Sequence, residues 1–492
     1  GGAHRAVQAH TMPEVPSRAD AGCPYRELAN AELEADDREC PSPSSSLSSQ
    51  FRLSEPGFKE SYAFVRQVFP PFLLAGLGMV AAGLLLHEVH RWPAFREANE
   101  MLILVPALLG LKGNLEMTLA SRLSTHANLG ELDLGQRNGG QLWSIIRGNL
   151  AVVQAQAIVV GFLASLVAVS LDLLTAGQWH PHHLPLICAS AITAASTASL
   201  LLASIMILIV MASRRYGVDP DNVASPIAGM LGDFCTLGLL ALFAQLFWSL
   251  EEEWLLWATI LAFAVVAPAC AWVGCRCRHT VPVLREGWQP VIVSMLISST
   301  GGLILKHSVQ QFMELAAFAP VTNGAGGNLA AVQASRLSTD LHTHGNLGVI
   351  PMTPPTQQHR LLKLRVREDE QVDEPLTPNG TFSALLSRNQ HAGTARILIA
   401  LAVPGALCFV FLIVAVRSRG TATPDPIFLL VYVTAVLVQV CLLFVAAHGI
   451  VNILWRQGIN PDNAAIPYVT SLGDLVGTTC LTAAFWTLSF MD

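Results

Sequence analysis

Two aspartates stand in matching sequence contexts far apart in the chain. The segment P-D-N-x-A-x-P-x4-L-G-D begins at Pro220 and again at Pro461, and it ends at Asp233 and at Asp474. Each aspartate follows a glycine inside a long apolar run. A carboxylate within a bilayer costs several kcal/mol and is normally tolerated only where it faces a bundle interior or water. The duplicated carboxylates therefore predict an ion site or a proton path.

A second motif, P-x6-G-N, also occurs twice and ends at Asn114 and at Asn328. The glycines before these residues, Gly113 and Gly327, allow neighbouring helices to approach closely. Backbone and amide carbonyl oxygens then become reachable ligands. We expect the two asparagines to supply neutral oxygens beside the two carboxylates.

Asp221 and Asp462, at the start of the P-D-N segments, have two interpretations. Each can cap the amino terminus of a helix, because Asp accepts the free amide hydrogens there. Each can also attract cations to the mouth of a path. The twelve residues from Asp221 to Asp233 rise about 18 Å in a helix, which reaches the middle of a bilayer. Asn114 is predicted to lie at the same depth on its own span.

These residue types favour a hard divalent cation. Magnesium prefers one or two carboxylates with neutral oxygens and keeps several waters, whereas zinc more often takes His or Cys. Of ten cysteines only Cys275 and Cys277 lie close together, in a spacing that suits zinc poorly. Glu116 ranks below the paired positions because its counterpart in the second copy is Ala330. We therefore predict bound Mg²⁺, released in acid because paired carboxylates titrate together.

The chain that carries these residues is apolar throughout. Of its 492 residues, 52% are hydrophobic and 13% are charged, which is too apolar for an ordinary water-facing surface. The net charge of -6 excludes the concentrated basic face of a nucleic-acid-binding protein. Eleven segments are long enough to cross a hydrocarbon core of about 30 Å. They are residues 67–86, 101–124, 148–171, 186–212, 223–250, 254–275, 288–305, 314–338, 397–416, 427–454 and 464–490.

The order of the motifs divides these spans into two sets of five. Five spans end on the side opposite to their start, so the remaining span, 254–275, restores parallel halves. We predict an all-α polytopic membrane protein of two parallel five-helix repeats around a pseudo-two-fold axis along the membrane normal. The predicted parts are a disordered segment 1–60, a first repeat 61–250, a connecting helix 251–280 and a second repeat 281–492.

Charge in the loops predicts the orientation. Lys and Arg are concentrated in alternate loops, and the opposite side carries the acidic run 251–253. The amino terminus should be cytosolic and the carboxyl terminus extracellular or lumenal. The plasma membrane is the expected location, with the mitochondrial inner membrane as the alternative. The hydrophilic loop 340–395, or the amino-terminal segment, is a candidate site for a regulatory protein, although a flexible linker explains the loop equally well.

The pairing of the two duplicated motifs resembles solute carrier family 41, the animal magnesium transporters whose halves are similar to the pore domain of bacterial MgtE. The resemblance covers residues 60–490. It implies a pore lined by the second and fifth helices of each half, with Asp233 and Asp474 holding hydrated magnesium at the symmetry axis. It also implies sodium-coupled efflux, with Na⁺ as the coupling ion and no enzymatic activity.

Two alternatives differ in class. The first is a membrane scaffold that does not transport and regulates another magnesium carrier. The second is an intramembrane aspartyl protease, because these enzymes also pair membrane aspartates preceded by glycine. Their G-x-G-D motif would need glycine where Met230 and Ser471 stand, which counts against a protease.

Overall fold

The computed structural model describes residues 58–128, 139–177, 181–215, 220–250, 252–277, 280–344, 390–420 and 423–491. Within these ranges the chain forms helices and no β-strand. Eleven of the described helices are long, and two short ones, α2 and α8, lie in connections. In chain order they are α1 (Phe58–Val89), α2 (Pro93–Glu97), α3 (Met101–Asn128), α4 (Gly139–Ala176), α5 (His183–Arg215), α6 (Pro220–Leu250), α7 (Glu253–Cys275), α8 (Val281–Glu286), α9 (Trp288–Gln311), α10 (Leu315–His344), α11 (Gln390–Arg417), α12 (Pro426–Arg456) and α13 (Pro461–Ser489).

Eight of the described helices are long and apolar enough to cross a bilayer, namely α1, α4, α5, α6, α7, α9, α11 and α12. The chain is therefore an integral membrane protein, as the sequence predicts. Each of the eleven predicted segments coincides with a long helix. The other three long helices, α3, α10 and α13, have 28 to 30 residues but carry more polar side chains. A helix that other helices shield from lipid does not need an apolar surface.

The first helix of each predicted repeat packs against the other repeat. Helix α1 lies along α10, and helix α9 lies along α3. The two crossings match: a Cβ on Gly83 of α1 would overlap the carbonyl oxygen of Ala317, and a Cβ on Gly302 of α9 would overlap that of Ile103. Both crossings therefore need glycine, because any side chain there would push two backbones apart.

The remaining contacts correspond between the two predicted repeats. Helix α6 packs against α1, α3 and α5, and helix α13 packs against α9, α10 and α12. Helix α7 does not belong to these matched contacts. It packs at the edge of the bundle on α4 and α5. Its outward face carries exposed apolar side chains that suit contact with lipid, among them Trp254, Trp257 and Leu261. Its role as a connecting helix between two repeats stays a prediction.

Ion pairs fasten neighbouring helices to one another. Lys306 of α9 forms a buried ion pair with Asp172 of α4. Arg417 at the end of α11 makes two hydrogen bonds of 3.1 Å to Glu314, which precedes α10. These bonds hold the pKa of Glu314 below its usual value. The same arginine lies 3.5 Å from the His87 ring of α1. Because a buried charge without its partner is costly, the Lys306 pair limits sliding between α4 and α9.

Two predicted segments lie mostly outside the described residues. Of the amino-terminal segment 1–60, only residues 58–60 are described, and they begin α1. Of the predicted loop 340–395, the described ends are helical, because α10 extends to His344 and α11 begins at Gln390. The connection between these helices is therefore shorter at both ends than the sequence predicts.

Replacement of Gly302 tests the close crossing of α9 and α3. Gly302→Ala is expected to lower stability by about 1–3 kcal/mol or more, because the new Cβ meets a backbone oxygen that cannot move aside. Gly449→Ala is the matched control, since nothing lies within 4 Å of its Cβ position in a membrane helix. Thermal unfolding in detergent measures both, and the account predicts a lower midpoint for Gly302→Ala alone. Equal midpoints would contradict this crossing.

Candidate functional site

A cavity of about 100 Å³ lies where the polar helices α3, α10 and α13 meet α1, α6 and α9. Proline and glycine from both P-x6-G-N regions form part of its wall, including Pro106, Gly110, Pro320 and Gly324. Small residues bring the helix backbones close together and leave room for the longer polar side chains. The polar side chains on the wall are Glu116, Asp233, Asn323, Asn328, Thr470 and Asp474.

The two duplicated aspartates face this one cavity. Asp233 reaches it from α6 and Asp474 from α13. Asp474 accepts a hydrogen bond of 2.6 Å from the hydroxyl of Ser298 on α9. A Cβ on Gly301 would lie 3.0 Å from the backbone of Asp474, so α9 and α13 cross closely at this point. The structure therefore brings together the residues that the repeat singles out.

Glu116 of α3 is a third carboxylate on the cavity wall. Its side chain is buried, and its charge acts on Asp233. A Cβ on Gly232 would lie 3.0 Å from Glu116 Oε2, so the glycine before Asp233 gives the glutamate its space. The sequence ranks Glu116 below the paired positions because Ala330 occupies the equivalent place in the second repeat. A buried charge is itself a signal of function, and it could have raised this rank.

Neutral oxygens complete the wall. Asn328 lines the cavity from α10, as the P-x6-G-N motif predicts. Its partner Asn114 lies on α3, but the side chain of Asn114 is outside the described part of the structure. Asn323 and Thr470 also line the cavity, and the sequence does not single them out because neither belongs to a duplicated polar pair.

The aspartates of the P-D-N segments have a different setting. The side chain of Asp221 is outside the described part of the structure. Asp462 is exposed in the first turn of α13 and lies 3.6 Å from the ring of His342. The residue that caps α13 is Asn460, whose side chain accepts a hydrogen bond of 3.0 Å from the Asp462 amide. Asp462 is therefore not the cap. Its negative charge in the first turn interacts favourably with the positive end of the helix dipole.

The chemistry of the cavity suits a cation that is bound through oxygen. Three carboxylates line a cavity whose wall is mainly apolar, and amide and hydroxyl side chains line it as well. Among the described residues, no three His, Cys, Asp or Glu side chains converge into a compact metal cluster. A cavity of about 100 Å³ leaves room for water between an ion and these side chains. Such an arrangement differs from a closed zinc site.

A comparison with protein families gives a match in both halves of the chain. The family model described as "MgtE: Divalent cation transporter" matches residues 105–243 and 319–484. The first match begins in α3 and ends in α6, and the second begins in α10 and ends in α13. Each match thus contains one copy of both duplicated motifs.

Whole-chain relatives agree with the family match. Solute carrier family 41 member 3 of Rattus norvegicus is 42% identical over 422 residues, which cover 85% of this chain and 86% of the relative. Solute carrier family 41 member 2 of Homo sapiens is 41% identical over 423 residues, which cover 85% of this chain and 69% of the relative. No solved structure matches significantly.

Gly110 tests whether the cavity binds an ion. A Cβ on Gly110 would lie 2.9 Å from Ser298 Oγ and 3.0 Å from Asp474 Oδ2. Gly110→Ala should weaken divalent cation binding about tenfold, because such crowding costs about 1–3 kcal/mol. Calorimetric titration with Mg²⁺ in detergent measures the change. Gly238→Ala is the control, since its Cβ would make an ordinary contact of 3.7 Å with Leu85. Unchanged affinity in Gly110→Ala would count against the site.

Proposed function

The chain belongs to the MgtE-like divalent cation transporters of solute carrier family 41, and we propose that it carries Mg²⁺ across a membrane through the cavity lined by Asp233 and Asp474. One observation supports this assignment above all others. Two aspartates from distant copies of one motif line the same cavity. A structural role would not require both carboxylates to meet inside a membrane protein, where each is costly.

The ligand set favours magnesium among divalent cations. Magnesium binds carboxylates and neutral oxygens and gives up its waters reluctantly, so it commonly keeps several of them. A cavity of about 100 Å³ has room for several waters. We infer that Asp233 and Asp474 hold a partly hydrated ion from two sides. Asn328, and Asn114 from the matching motif, would supply neutral oxygens.

Glu116 makes the site unequal between the two repeats. Asp233 has this third carboxylate beside it, whereas Asp474 has the hydroxyl of Ser298. An ion that is bound nearer to Asp233 would meet two negative charges, and one nearer to Asp474 would meet a single charge. This gradient would let the ion be held firmly on one side and released on the other. The proposed direction of release is efflux coupled to Na⁺ entry, as the family resemblance implies.

The topology follows from the same proposal. We infer eleven spans, in which α1 to α6 and α9 to α13 form two parallel repeats and α7 restores their common orientation. The matched crossings at Gly83 and Gly302 support two-fold related repeats. The amino terminus would be cytosolic and the carboxyl terminus extracellular or lumenal, in the plasma membrane or, as an alternative, the mitochondrial inner membrane. Asp221 and Asp462, at the starts of α6 and α13, would attract cations to the cytosolic mouth.

The rival functions have less support. A membrane regulator that does not transport would have no need for paired carboxylates around a cavity. A regulatory protein could still bind this transporter at its amino terminus or at loop 340–395. The family to which the chain belongs consists of transporters, which opposes an aspartyl protease.

Loss of either aspartate should strongly reduce transport. In sealed liposomes with purified protein, Asp233→Asn and Asp474→Asn are each expected to reduce Mg²⁺ flux at least about tenfold, because the ion loses one of its two charged ligands. Flux is measured with a Mg²⁺-sensitive dye in the lumen, with and without a Na⁺ gradient. Dependence on the gradient would identify an exchanger.

Glu314→Gln is the matched control for these variants. It removes a carboxylate that is exposed and lies outside the cavity, so Mg²⁺ flux should stay close to that of the parent. Full flux in Asp233→Asn and Asp474→Asn would exclude the proposed site. Absence of flux in the parent chain would instead favour the regulatory scaffold.

Acid should inhibit the same flux. A protonated aspartate carries no charge, so lowering the pH removes the attraction that holds the cation between the two side chains. Mg²⁺ flux in liposomes is therefore expected to fall progressively as the external and internal pH are lowered together. Flux that stays constant or rises over the acidic range would show that the transported ion does not depend on ionised carboxylates.

A further inference from the structure

A crevice of about 440 Å³ lies between α4 and α7, apart from the carboxylate cavity. Residues 155–163 of α4 and 260–271 of α7 form its main walls, and Ile192 of α5 and Trp288 of α9 complete it. Every described side chain on these walls is apolar except for the indole N–H of Trp288, which donates to the carbonyl of Leu284 over 2.6 Å. The walls therefore offer a ligand apolar contact and no free side-chain hydrogen-bonding group.

Small residues on α7 leave this crevice open. Ala264, Ala267 and Ala271 line it at helical spacing. Near the end of α7 the two helices cross closely, because a Cβ on Gly274 would lie 2.8 Å from Val152 Cγ2. Farther from this crossing the alanine side chains are too short to fill the gap. Atoms that line an unfilled gap lose dispersion contacts, so an apolar group that enters it is stabilised.

The crevice opens on the outer face of the bundle. Ala264 and Pro268 of α7 and Phe162 of α4 line it and are exposed. The eight residues from Ala155 to Leu163 rise about 12 Å along α4. This length is close to the depth of one leaflet, which is about half of a hydrocarbon core of about 30 Å. The opening thus faces lipid and has the reach of an acyl chain.

Tryptophans mark where the crevice meets the membrane interface. Trp143 near the start of α4 and Trp272 near the end of α7 are exposed, and Trp288 begins α9. Tryptophan is enriched at the level of the lipid headgroups, where its ring is apolar and its N–H is polar. The end of the crevice at Ala271 and Trp288 therefore lies just inside the headgroup level.

Arg147 and Arg276 lie close together at this end of the crevice. Arg147 precedes Gly148, and Arg276 precedes Cys277. A Cβ on Gly148 would lie 2.7 Å from the Cβ of Cys277, so the two backbones meet beside these arginines. The Arg276 guanidinium lies 3.7 Å from the centroid of the Trp272 ring. This cation–π contact holds a positive charge at the interface.

Arg285 of α8 adds a third positive charge, and we call the three side chains the arginine group. It follows Leu284, whose Cδ1 would lie 2.8 Å from a Cβ on Gly274 near the end of α7. All three arginines are exposed, and within the described part of the chain none of them forms an ion pair. In the proposed topology this end is cytosolic, where anionic lipids give the leaflet a negative surface potential.

We propose that the crevice binds one anionic glycerophospholipid, with an acyl chain between α4 and α7 and the headgroup phosphate beside the arginine group. The apolar walls alone would accept any lipid chain. The arginines select a negatively charged headgroup, because guanidinium groups bind phosphate through several N–H donors at once. The proposal does not depend on magnesium transport.

Thermal unfolding of the purified full chain tests this binding. The chain is measured in detergent with divalent cations chelated, and phosphatidylglycerol or phosphatidylcholine with the same acyl chains is added. A ligand that binds only the folded state raises the unfolding midpoint. The half-saturating concentration should be at least about tenfold lower for phosphatidylglycerol than for phosphatidylcholine. Equal stabilisation by the two lipids, or none by either, would overturn the proposal.

The headgroup contact is tested by the double variant Arg276→Gln with Arg285→Gln. Its preference for phosphatidylglycerol should fall at least about tenfold, because each arginine near the surface adds attraction to anionic lipid. Arg66→Gln is the matched control, since Arg66 is exposed on α1, which packs on α6, α10 and α11. A lipid preference that persists unchanged in the double variant would contradict the assigned headgroup site.

The acyl-chain contact is tested by Ala264→Leu, which fills part of the crevice. Ala264 is exposed, so the leucine has space, and the unfolding midpoint without lipid shows that the fold is retained. The half-saturating phosphatidylglycerol concentration should rise at least about tenfold. Ala262→Leu is the matched control, because Ala262 is exposed on the same helix and does not line the crevice. Unchanged lipid binding in Ala264→Leu would show that no chain occupies the crevice.

Native mass spectrometry separates a lipid from a second copy of the chain. The parent, released from detergent that contains phosphatidylglycerol, should retain one lipid for each chain, and Ala264→Leu should lose it. A parent dimer without bound lipid that becomes a monomer in Ala264→Leu would overturn the proposal, because the crevice would then be an interface between copies.

Discussion

The cost of keeping carboxylates inside a membrane protein determines the rest of this structure. Glu116, Asp233 and Asp474 face one small cavity, and bare charges in such a place are unfavourable unless ions, water or hydrogen bonds compensate them. The helices that carry or contact them must be shielded from lipid. The polar helices α3, α10 and α13 accordingly lie inside, and apolar helices such as α7 face outward. The glycines at the close crossings then allow the shielding helices to come near enough to enclose the charges.

The two proposed repeats share matched features and differ in chemistry. The glycine crossings and the duplicated aspartates belong to the matched features. The polar side chains around the cavity are unequal: Glu116 lies in the first half of the chain, and Ser298 and Asn323 lie in the second. A symmetric site would bind an ion identically toward either half. In the proposed function, differences of this kind would give the two ends of the path unequal affinity for the ion.

Duplication explains what the sequence could predict. The helical segments followed from runs of apolar residues, and Asp233, Asp474 and Asn328 followed from their recurrence in two copies. Glu116 and Asn323 could not be ranked highly by recurrence, because Ala330 and Leu109 occupy their equivalent positions. The packing of α1 on α10 and of α9 on α3 depends on which backbones meet at Gly83 and Gly302. Hydropathy carries no information on which helices become partners. Asn460 caps α13, whereas the sequence analysis offered Asp462 as a cap. The position at which a helix begins depends on backbone geometry, which the sequence motif does not specify.

The central claim is that a divalent cation is held between Asp233 and Asp474. The most direct measurement is an experimental structure of the full chain with Mn²⁺ in place of Mg²⁺, because the anomalous scattering of manganese identifies the ion independently of water. The account predicts a manganese peak inside the cavity, with the two aspartate carboxylates on opposite sides of it and within reach directly or through one water. A manganese peak elsewhere in the membrane region, with none in this cavity, would contradict the account.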